Sequence, residues 1–192
     1  MRKDSINKLI SLLLCLLLLL SFAGCGNNSK TVSNSPIEES QDEVKEVQLP
    51  KDVKGPYMVE RVVDGDTFIA LVEGERVRIR ILCIDTPESV APEETGKKNT
   101  DEGTIASDRA KELLTNKNVY LEYDEEKKDQ YDRVLAYVYF EDGTRFEDIM
   151  ISEGLAKVVY YEPNIKHRDE LYKVQDQAKK DKAGFWGTGF YK

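Results

Sequence analysis

Patterns of apolar and polar residues predict strands and helices along the chain beyond residue 56. In residues 75–84, three β-branched residues alternate with three arginines: Val77, Ile79 and Ile81 with Arg76, Arg78 and Arg80. A period of two with β-branched residues on one side predicts a half-buried strand, whose arginines at 76 and 78 are solvated. Four more strands are predicted, at residues 57–63, 67–72, 118–123 and 133–140, and the third of these alternates at Val119, Leu121 and Tyr123. Glu73-Gly74, between the second and third runs, predicts a hairpin.

Three helices are predicted after the third strand. Residues 104–116 have one apolar side with Thr104 as N-cap, and residues 146–153 end at Gly154, which favours a left-handed C-cap. Residues 164–182 predict a charged helix after an extended segment at 157–161, and Phe185-Trp186 predicts a packed C-terminal lid. Together these elements predict an α+β, mainly β fold: one five-stranded barrel of the oligonucleotide-binding type, with three helices attached.

The N-terminus predicts a targeting segment, residues 1–24. A basic start precedes an apolar run at residues 9–20, which is short for a membrane span and suits a secretory signal. Phe22-Ala23-Gly24 before Cys25 resembles a bacterial lipoprotein cleavage box, although Phe22 departs from the usual aliphatic residue. The resemblance implies lipid on Cys25 and display outside the cytoplasmic membrane, with the anchor kept or the domain shed. An ordinary signal peptide or an uncleaved anchor is the alternative.

Residues 25–53 predict a disordered acidic tether, and residues 54–192 the folded domain. The tether is polar and without periodicity, and it gives a reach of about 30 Å. The chain's net charge is −8, and residues 36–50 account for −4 of it, with five acidic residues and one lysine. The remainder argues against broad phosphate binding through a basic surface, but it allows a small cationic pocket.

The cysteines predict neither a disulfide framework nor a catalytic thiol. Cys15 lies in the signal segment and Cys25 is the lipidation site, so Cys83 stands alone as a small buried hydrophobe. The single histidine, His167, is predicted as an exposed residue at a helix start rather than a ligand or base.

Two acidic turns flank the hairpin: Asp64-Gly65-Asp66-Thr67 and Asp85-Thr86-Pro87-Glu88. Folding the hairpin brings Asp66 and Asp85 to one rim of the sheet. Two close carboxylates repel unless a cation lies between them, and hard oxygen ligands suit Ca²⁺ or Mg²⁺. Arg80 adds a donor fork for phosphate. With Glu88 as a further carboxylate, these are the parts needed to hydrolyse a phosphodiester.

These motifs resemble the staphylococcal nuclease (thermonuclease) family from about Tyr57 to Trp186. The resemblance rests on both acidic turns, Arg80 and two further segments, Tyr131-Asp132-Arg133-Val134-Leu135-Ala136-Tyr137 and Gly154-Leu155-Ala156-Lys157-Val158. It implies a five-stranded barrel with three helices and Ca²⁺-dependent cleavage of DNA and RNA. Family enzymes break the 5′ P–O bond and leave 3′-phosphate ends.

The resemblance also implies the metal site. Asp66 and Asp85 are expected to be Ca²⁺ carboxylate ligands, and Thr86 to contribute its backbone carbonyl. Ca²⁺ in such a site neutralises the charge that builds on the phosphate. Asp64 either acts through water or only caps a turn.

Arg80 and Arg133 match the two arginines that grip the scissile phosphate and stabilise the transition state. The alternative for Arg133 is a surface pair with Asp129 or Asp132. Glu88 matches the proposed general base, and its rival role is to orient the attacking water.

Tyr131 and Tyr160 match the aromatics of the nucleotide pocket, with packing at the barrel edge as the alternative. The assignment of Tyr161 to this pocket is less secure, because the segment Tyr160-Tyr161-Glu162-Pro163-Asn164 is one residue shorter than in the family. Gln130 replaces a lysine and Asp132 a glycine, so the field near Arg133 is more negative.

The expected partners are DNA and RNA, preferably single-stranded or as a frayed duplex. The protein is expected to contact the membrane only through its N-terminal lipid and to be a monomer. Lys97 and Lys98 could contact the polymer or belong to a solvated loop. The competing readings are a non-catalytic oligonucleotide-binding lipoprotein and a lipoprotein for acidic small molecules. The second does not explain the paired aspartates and arginines. DNA or RNA preference and biological role are left open.

Overall fold

The structure, a computed structural model, describes residues 48–89 and 99–192. The predicted signal segment, Cys25 and most of the tether lie outside this range, as do Lys97 and Lys98. Leu49 and Val53, at the end of the predicted tether, pack against the core. In the described ranges, no helix has the length and apolar character needed to cross a bilayer.

The described part of the chain has the strands β1 Lys54–Asp64, β2 Thr67–Val72, β3 Glu75–Ile81, β4 Ile84–Asp85, β5 Asn118–Glu122, β6 Val134–Tyr139 and β7 Lys157–Val158. Five of them form a closed barrel in the order β1-β2-β3-β6-β5. Within the barrel, β3 and β6 pair in parallel and the other neighbours are antiparallel. A separate two-stranded sheet joins β4 and β7. This confirms the predicted mainly β barrel.

Four helices lie outside the barrel in the described part of the chain: α1 Asp101–Leu114, α2 Phe146–Ser152, α3 Arg168–Lys180 and α4 Gly184–Thr188. The first three correspond to the predicted helices, and α4 is additional. Phe185 in α4 is buried, and its ring meets Tyr191 edge-on with centroids 5.6 Å apart. The predicted C-terminal lid is therefore present.

The β2–β3 hairpin follows from its local sequence. Glu73 and Gly74 form the two-residue loop with φ of 53° and 88°, and positive φ at both positions suits a turn that matches strand twist. Phe68 pairs with Ile79, and both are fully buried. Burying each such side chain contributes about 1.5–3 kcal/mol. Arg76 and Arg78 are exposed, as predicted.

Four predicted boundaries were wrong by three or more residues. Strand β1 begins at Lys54, not at residue 57. Strand β3 ends at Ile81, not at residue 84, because Cys83 takes a φ of 57° and the chain turns into β4. Helix α1 begins at Asp101, because Thr100 rather than Thr104 is the N-cap and accepts from the Gly103 N–H at 2.9 Å. Helix α3 begins at Arg168, because buried Asn164 is held in the preceding loop by two hydrogen bonds with the Glu126 backbone.

Cys83 is buried, as predicted, with its Sγ 3.3 Å from the Tyr137 hydroxyl. His167 precedes α3, but the prediction that it is exposed was wrong. Its side chain is 15% exposed, with Nε2 2.6 Å from Glu122 Oε2 and Nδ1 3.2 Å from Glu170 Oε2. Glu122, on β5, therefore anchors the start of α3 to the barrel.

Glu122 makes the fold sensitive to acid. Burial alone would raise the pKa of Glu122, but hydrogen bonds from Lys166, His167 and Tyr139 hold that pKa below its ordinary value. A lowered folded-state pKa stabilises the protein above the unfolded-state value of about 4.3, and this stabilisation is lost as pH falls through the folded value.

We expect Glu122→Gln to lower the free energy of unfolding by about 2 kcal/mol at pH 7. The difference from the unmodified protein should shrink as the pH falls below about 4. Urea unfolding across pH 3–7 measures it, with exposed Glu125→Gln as control. A loss that stays constant over the whole pH range would contradict the assignment.

Candidate active site

The predicted acidic pair comes together around Arg80. Thr67 pairs with Arg80 across the hairpin, which places Asp66 beside it. Arg80 Nη2 lies 3.2 Å from Asp66 Oδ2 and 4.0 Å from Asp85 Oδ1. The Thr86 N–H donates to Asp66 Oδ2 at 3.3 Å. One guanidinium nitrogen thus lies between two carboxylates, one that precedes the hairpin in sequence and one that follows it.

Arg80 also braces the corner between β3 and β4. Its Nη1 donates to the Ile81 carbonyl, and its Nη2 donates to the Ile84 carbonyl at 2.9 Å. The side chain is mostly buried. Arg80 therefore has a structural task in addition to the predicted phosphate contact.

Lys157 is a neighbour of the site that the sequence reasoning missed. Asp85 pairs with Lys157 across the β4–β7 sheet, and Lys157 Nζ lies 3.7 Å from Asp85 Oδ2. The signal was within the Gly154–Val158 motif, but nothing in the sequence placed that motif beside Asp85. Lys157 partly offsets the negative charge of the acidic pair.

Asp64 links the first acidic turn to the residue after Glu88. Its Oδ1 accepts from the Gly65 N–H at 2.8 Å and from Ser89 Oγ at 2.7 Å, and its Oδ2 accepts from the Ser89 N–H at 3.4 Å. Asp64 thus caps its own turn, one of the two predicted roles. Its second partner, Ser89, was not predicted from the sequence.

Glu88 is held from the other side by the first turn of α1. The Glu88 carbonyl accepts from the Thr100 N–H at 3.0 Å. A Cβ on Gly103 would lie 2.1 Å from that same carbonyl oxygen, so only glycine fits there. Sequence reasoning missed Gly103, although a glycine in the first turn of a helix is a signal, since it costs up to about 1 kcal/mol relative to alanine.

Arg133 lies just before β6, two residues upstream of Leu135, the strand partner of Arg80. Its Nε donates to Asp129 Oδ2 at 2.7 Å. Neither Nη1 nor Nη2 of Arg133 has a partner among the residues that the structure describes. Asp132 pairs instead with Lys128 at 2.7 Å. The alternative pairing with Asp129 is therefore present, and it leaves two donors available.

The three tyrosines predicted near the nucleotide differ in their exposure to solvent. Tyr131 is 71% exposed, with the Arg133 guanidinium 5.5 Å from its ring centre. Tyr161 is 76% exposed. Tyr160 is half-buried, with the Arg168 guanidinium 5.1 Å from its ring centre and the Tyr172 ring edge-on to it. Tyr131 and Tyr161 offer more ring surface for stacking a base than Tyr160 does.

The residues present fit a hard cation whose remaining ligands are water and substrate. In the described part of the chain, no three acidic, histidine or cysteine side chains form a metal site by themselves. Asp66 and Asp85 supply carboxylates, and Thr86 adds oxygen atoms. Buried Thr86 Oγ1 has no partner within that part, and a Cβ on Gly65 would lie 2.7 Å from it. An all-oxygen set of this kind suits Ca²⁺, which takes 6–8 ligands including water and substrate.

Comparison with known proteins places these motifs in context. A family model described as "Staphylococcal nuclease homologue" matches residues 78–188. The thermonuclease of Staphylococcus intermedius is 42% identical over 136 residues, which cover 70% of this chain and 79% of that protein. Endonuclease YncB of Bacillus subtilis (strain 168) is 32% identical over 202 residues, which cover 96% of this chain and 94% of that protein. The family match includes Arg80, Glu88 and Arg133.

Proposed function

Because the chain belongs to the staphylococcal nuclease homologue family, we propose that it is a Ca²⁺-dependent endonuclease that hydrolyses DNA and RNA to 3′-phosphate products. The observation that carries the proposal is the meeting of Asp66 and Asp85 at Arg80 Nη2. The names of the relatives, thermonuclease and endonuclease, support the reaction class.

Each residue of the site has a task in this reaction. Asp66, Asp85 and the Thr86 carbonyl hold Ca²⁺, which when bound neutralises phosphate charge and makes a water more acidic. Glu88 takes a proton from the attacking water or orients it. The water oxygen bonds to phosphorus and gives its proton to Glu88 or, if Glu88 only orients it, to solvent. The bond to the 5′ oxygen breaks and that oxygen takes a proton from solvent, so that a 5′-hydroxyl and a 3′-phosphate result.

Charge builds on the phosphate oxygens as the new bond forms. Arg133 can donate from Nη1 and Nη2 to two of these oxygens, because within residues 48–89 and 99–192 only its Nε is engaged, by Asp129. Arg80 lies against Asp66 and braces the β3–β4 corner. Tyr131, exposed beside Arg133, and the less accessible Tyr160 are assigned to the nucleotide, where stacking tolerates any base.

The enzyme is placed outside the cytoplasmic membrane, as a monomer held by lipid on Cys25. The support is the cleavage-box-like sequence around Cys25 and the acidic tether after it. Cells that express the full chain should therefore degrade DNA added to the medium, and lysis should not be needed. Degradation only after lysis would overturn this placement.

Removal of Ca²⁺ should abolish hydrolysis. The full chain, purified in detergent, is incubated with single-stranded DNA in millimolar Ca²⁺ or in excess chelator, and the loss of polymer is measured. We expect cleavage only with Ca²⁺, and product ends that accept polymerase extension only after phosphatase treatment. Arg133→Ala prepared in the same way excludes a contaminating nuclease.

Three outcomes distinguish the readings. Cleavage that persists in chelator would reject the Ca²⁺ assignment. Binding of DNA without cleavage in either condition would favour the non-catalytic module. Products that a polymerase extends without phosphatase would reject the 3′-phosphate assignment.

A further inference from the structure

One carboxylate organises the turn that presents Tyr131 and Arg133. Asp129 Oδ1 accepts from the Tyr131 N–H at 2.9 Å and from the Arg133 N–H at 3.0 Å. Asp129 Oδ2 accepts from Arg133 Nε at 2.7 Å. A single side chain therefore fixes both the backbone of this turn and the direction of the guanidinium.

The backbone of the turn supports the same geometry. The Asp129 N–H donates to the Arg133 carbonyl and the Asp132 N–H to the Asp129 carbonyl, each at 3.0 Å. Asp132 takes a φ of 61° to close the turn. Asp129 is only 18% exposed, so its carboxylate is partly shielded from water. Although burial opposes it, hydrogen bonds from Arg133 and Tyr131 hold the pKa of Asp129 below its ordinary value.

We propose that Asp129 is a positioning residue for phosphodiester hydrolysis: by holding Arg133 through Nε, it directs Nη1 and Nη2 to the phosphate while Tyr131 stays exposed. The inference rests on the proposed function, because it concerns the same site. Arginine has a rigid fork of donors, and fixing one of its nitrogens fixes the others. Such a group contributes most when its geometry is set before the charge develops.

The chain offers a matched pair of substitutions. Asp129→Asn and Asp132→Asn make the same chemical change and remove the same charge, three residues apart in one turn. Asp132 is largely exposed and pairs with Lys128 on the surface, so its ion pair contributes little to stability. Asparagine also tolerates the positive φ at that position.

We expect Asp129→Asn to lower kcat about tenfold to a hundredfold, because an Arg133 displaced by about 1 Å loses its alignment. Asp132→Asn should keep kcat and lower KM, because it removes a negative charge from the turn that presents Arg133. Steady-state hydrolysis of single-stranded DNA by the full chain in Ca²⁺ measures both. Equal kcat values for the two variants would overturn the inference.

A double-mutant cycle separates positioning from general structural support. If Asp129 acts through Arg133, Asp129→Asn should cause no further loss of kcat in an Arg133→Ala background. An equal loss in both backgrounds would overturn the inference.

Should Asp129→Asn fail to fold, Arg133→Lys is the second variant. Its single ammonium would pair with Asp129, so we expect a kcat as low as that of Arg133→Ala, and near-normal kcat would overturn the inference.

The two proposals fail in different ways. If the unmodified chain shows no Ca²⁺-dependent cleavage, the proposed function is wrong and the positioning role falls with it. If the unmodified chain is active while Asp129→Asn behaves like Asp132→Asn, only the role of Asp129 is rejected.

Discussion

Replacing Gly103 with alanine should lower hydrolysis about a hundredfold, although Gly103 lies on a helix and bears no chemistry of its own. The new Cβ would be 2.1 Å from the Glu88 carbonyl oxygen and 2.3 Å from its carbonyl carbon. Backbone atoms cannot rotate away as a side chain can, so α1 and the Glu88 segment must separate. A displacement of about 1 Å at a reacting group can cost about 10²-fold in rate.

Helix propensity alone predicts that Gly103→Ala stabilises the protein rather than damaging it. Glycine to alanine within a helix normally stabilises it by up to about 1 kcal/mol. A stable, fully active Gly103→Ala protein would therefore show that α1 does not fix Glu88. Thr104→Ala places alanine at the next position of the same turn, which is exposed whereas Gly103 is buried, and is the control. Measuring kcat and thermal unfolding for both variants distinguishes loss of alignment from loss of the fold.

Local pattern was enough to predict the barrel and the hairpin. The strand period at residues 75–81 and the Glu73-Gly74 loop depend on residues close in sequence, and the structure has both. The same hairpin brings Asp66 near Asp85, so the acidic pair was also accessible from sequence. Where the local signal was weaker, element ends were wrong: the period of two does not show that Cys83 turns the chain.

The supports of the site could not be predicted, because they join residues far apart in sequence. The Asp64 carboxylate accepts from Ser89, 25 residues later in the chain, and the Glu88 carbonyl accepts from the Thr100 N–H just before α1. His167 was predicted as exposed because its sequence neighbours are polar. It is instead partly buried against Glu122, 45 residues earlier in the chain. Residue type identified the candidate chemistry, and only the fold showed what holds it in place.

The two arginines of the site should give different results when each is replaced by alanine. Arg133→Ala should lower kcat about 10²- to 10³-fold, the typical cost of losing one preorganised donor to the transition state. It should change the free energy of unfolding by less than about 1 kcal/mol, because Asp129 keeps its bonds to two backbone N–H groups.

Arg80→Ala should lower kcat at least as much and also reduce the free energy of unfolding by about 2–3 kcal/mol. The reason is that the Ile81 and Ile84 carbonyls lose their donor and Asp66 loses its cation. Urea unfolding beside kcat measures both effects, with exposed Arg78→Ala on the same strand as control. If Arg80→Ala and Arg133→Ala destabilise the protein equally, the assignment of a structural role to Arg80 and not to Arg133 is wrong. If Arg80 braces the corner and Arg133 binds the phosphate, only Arg133→Ala should give a stable, inactive protein.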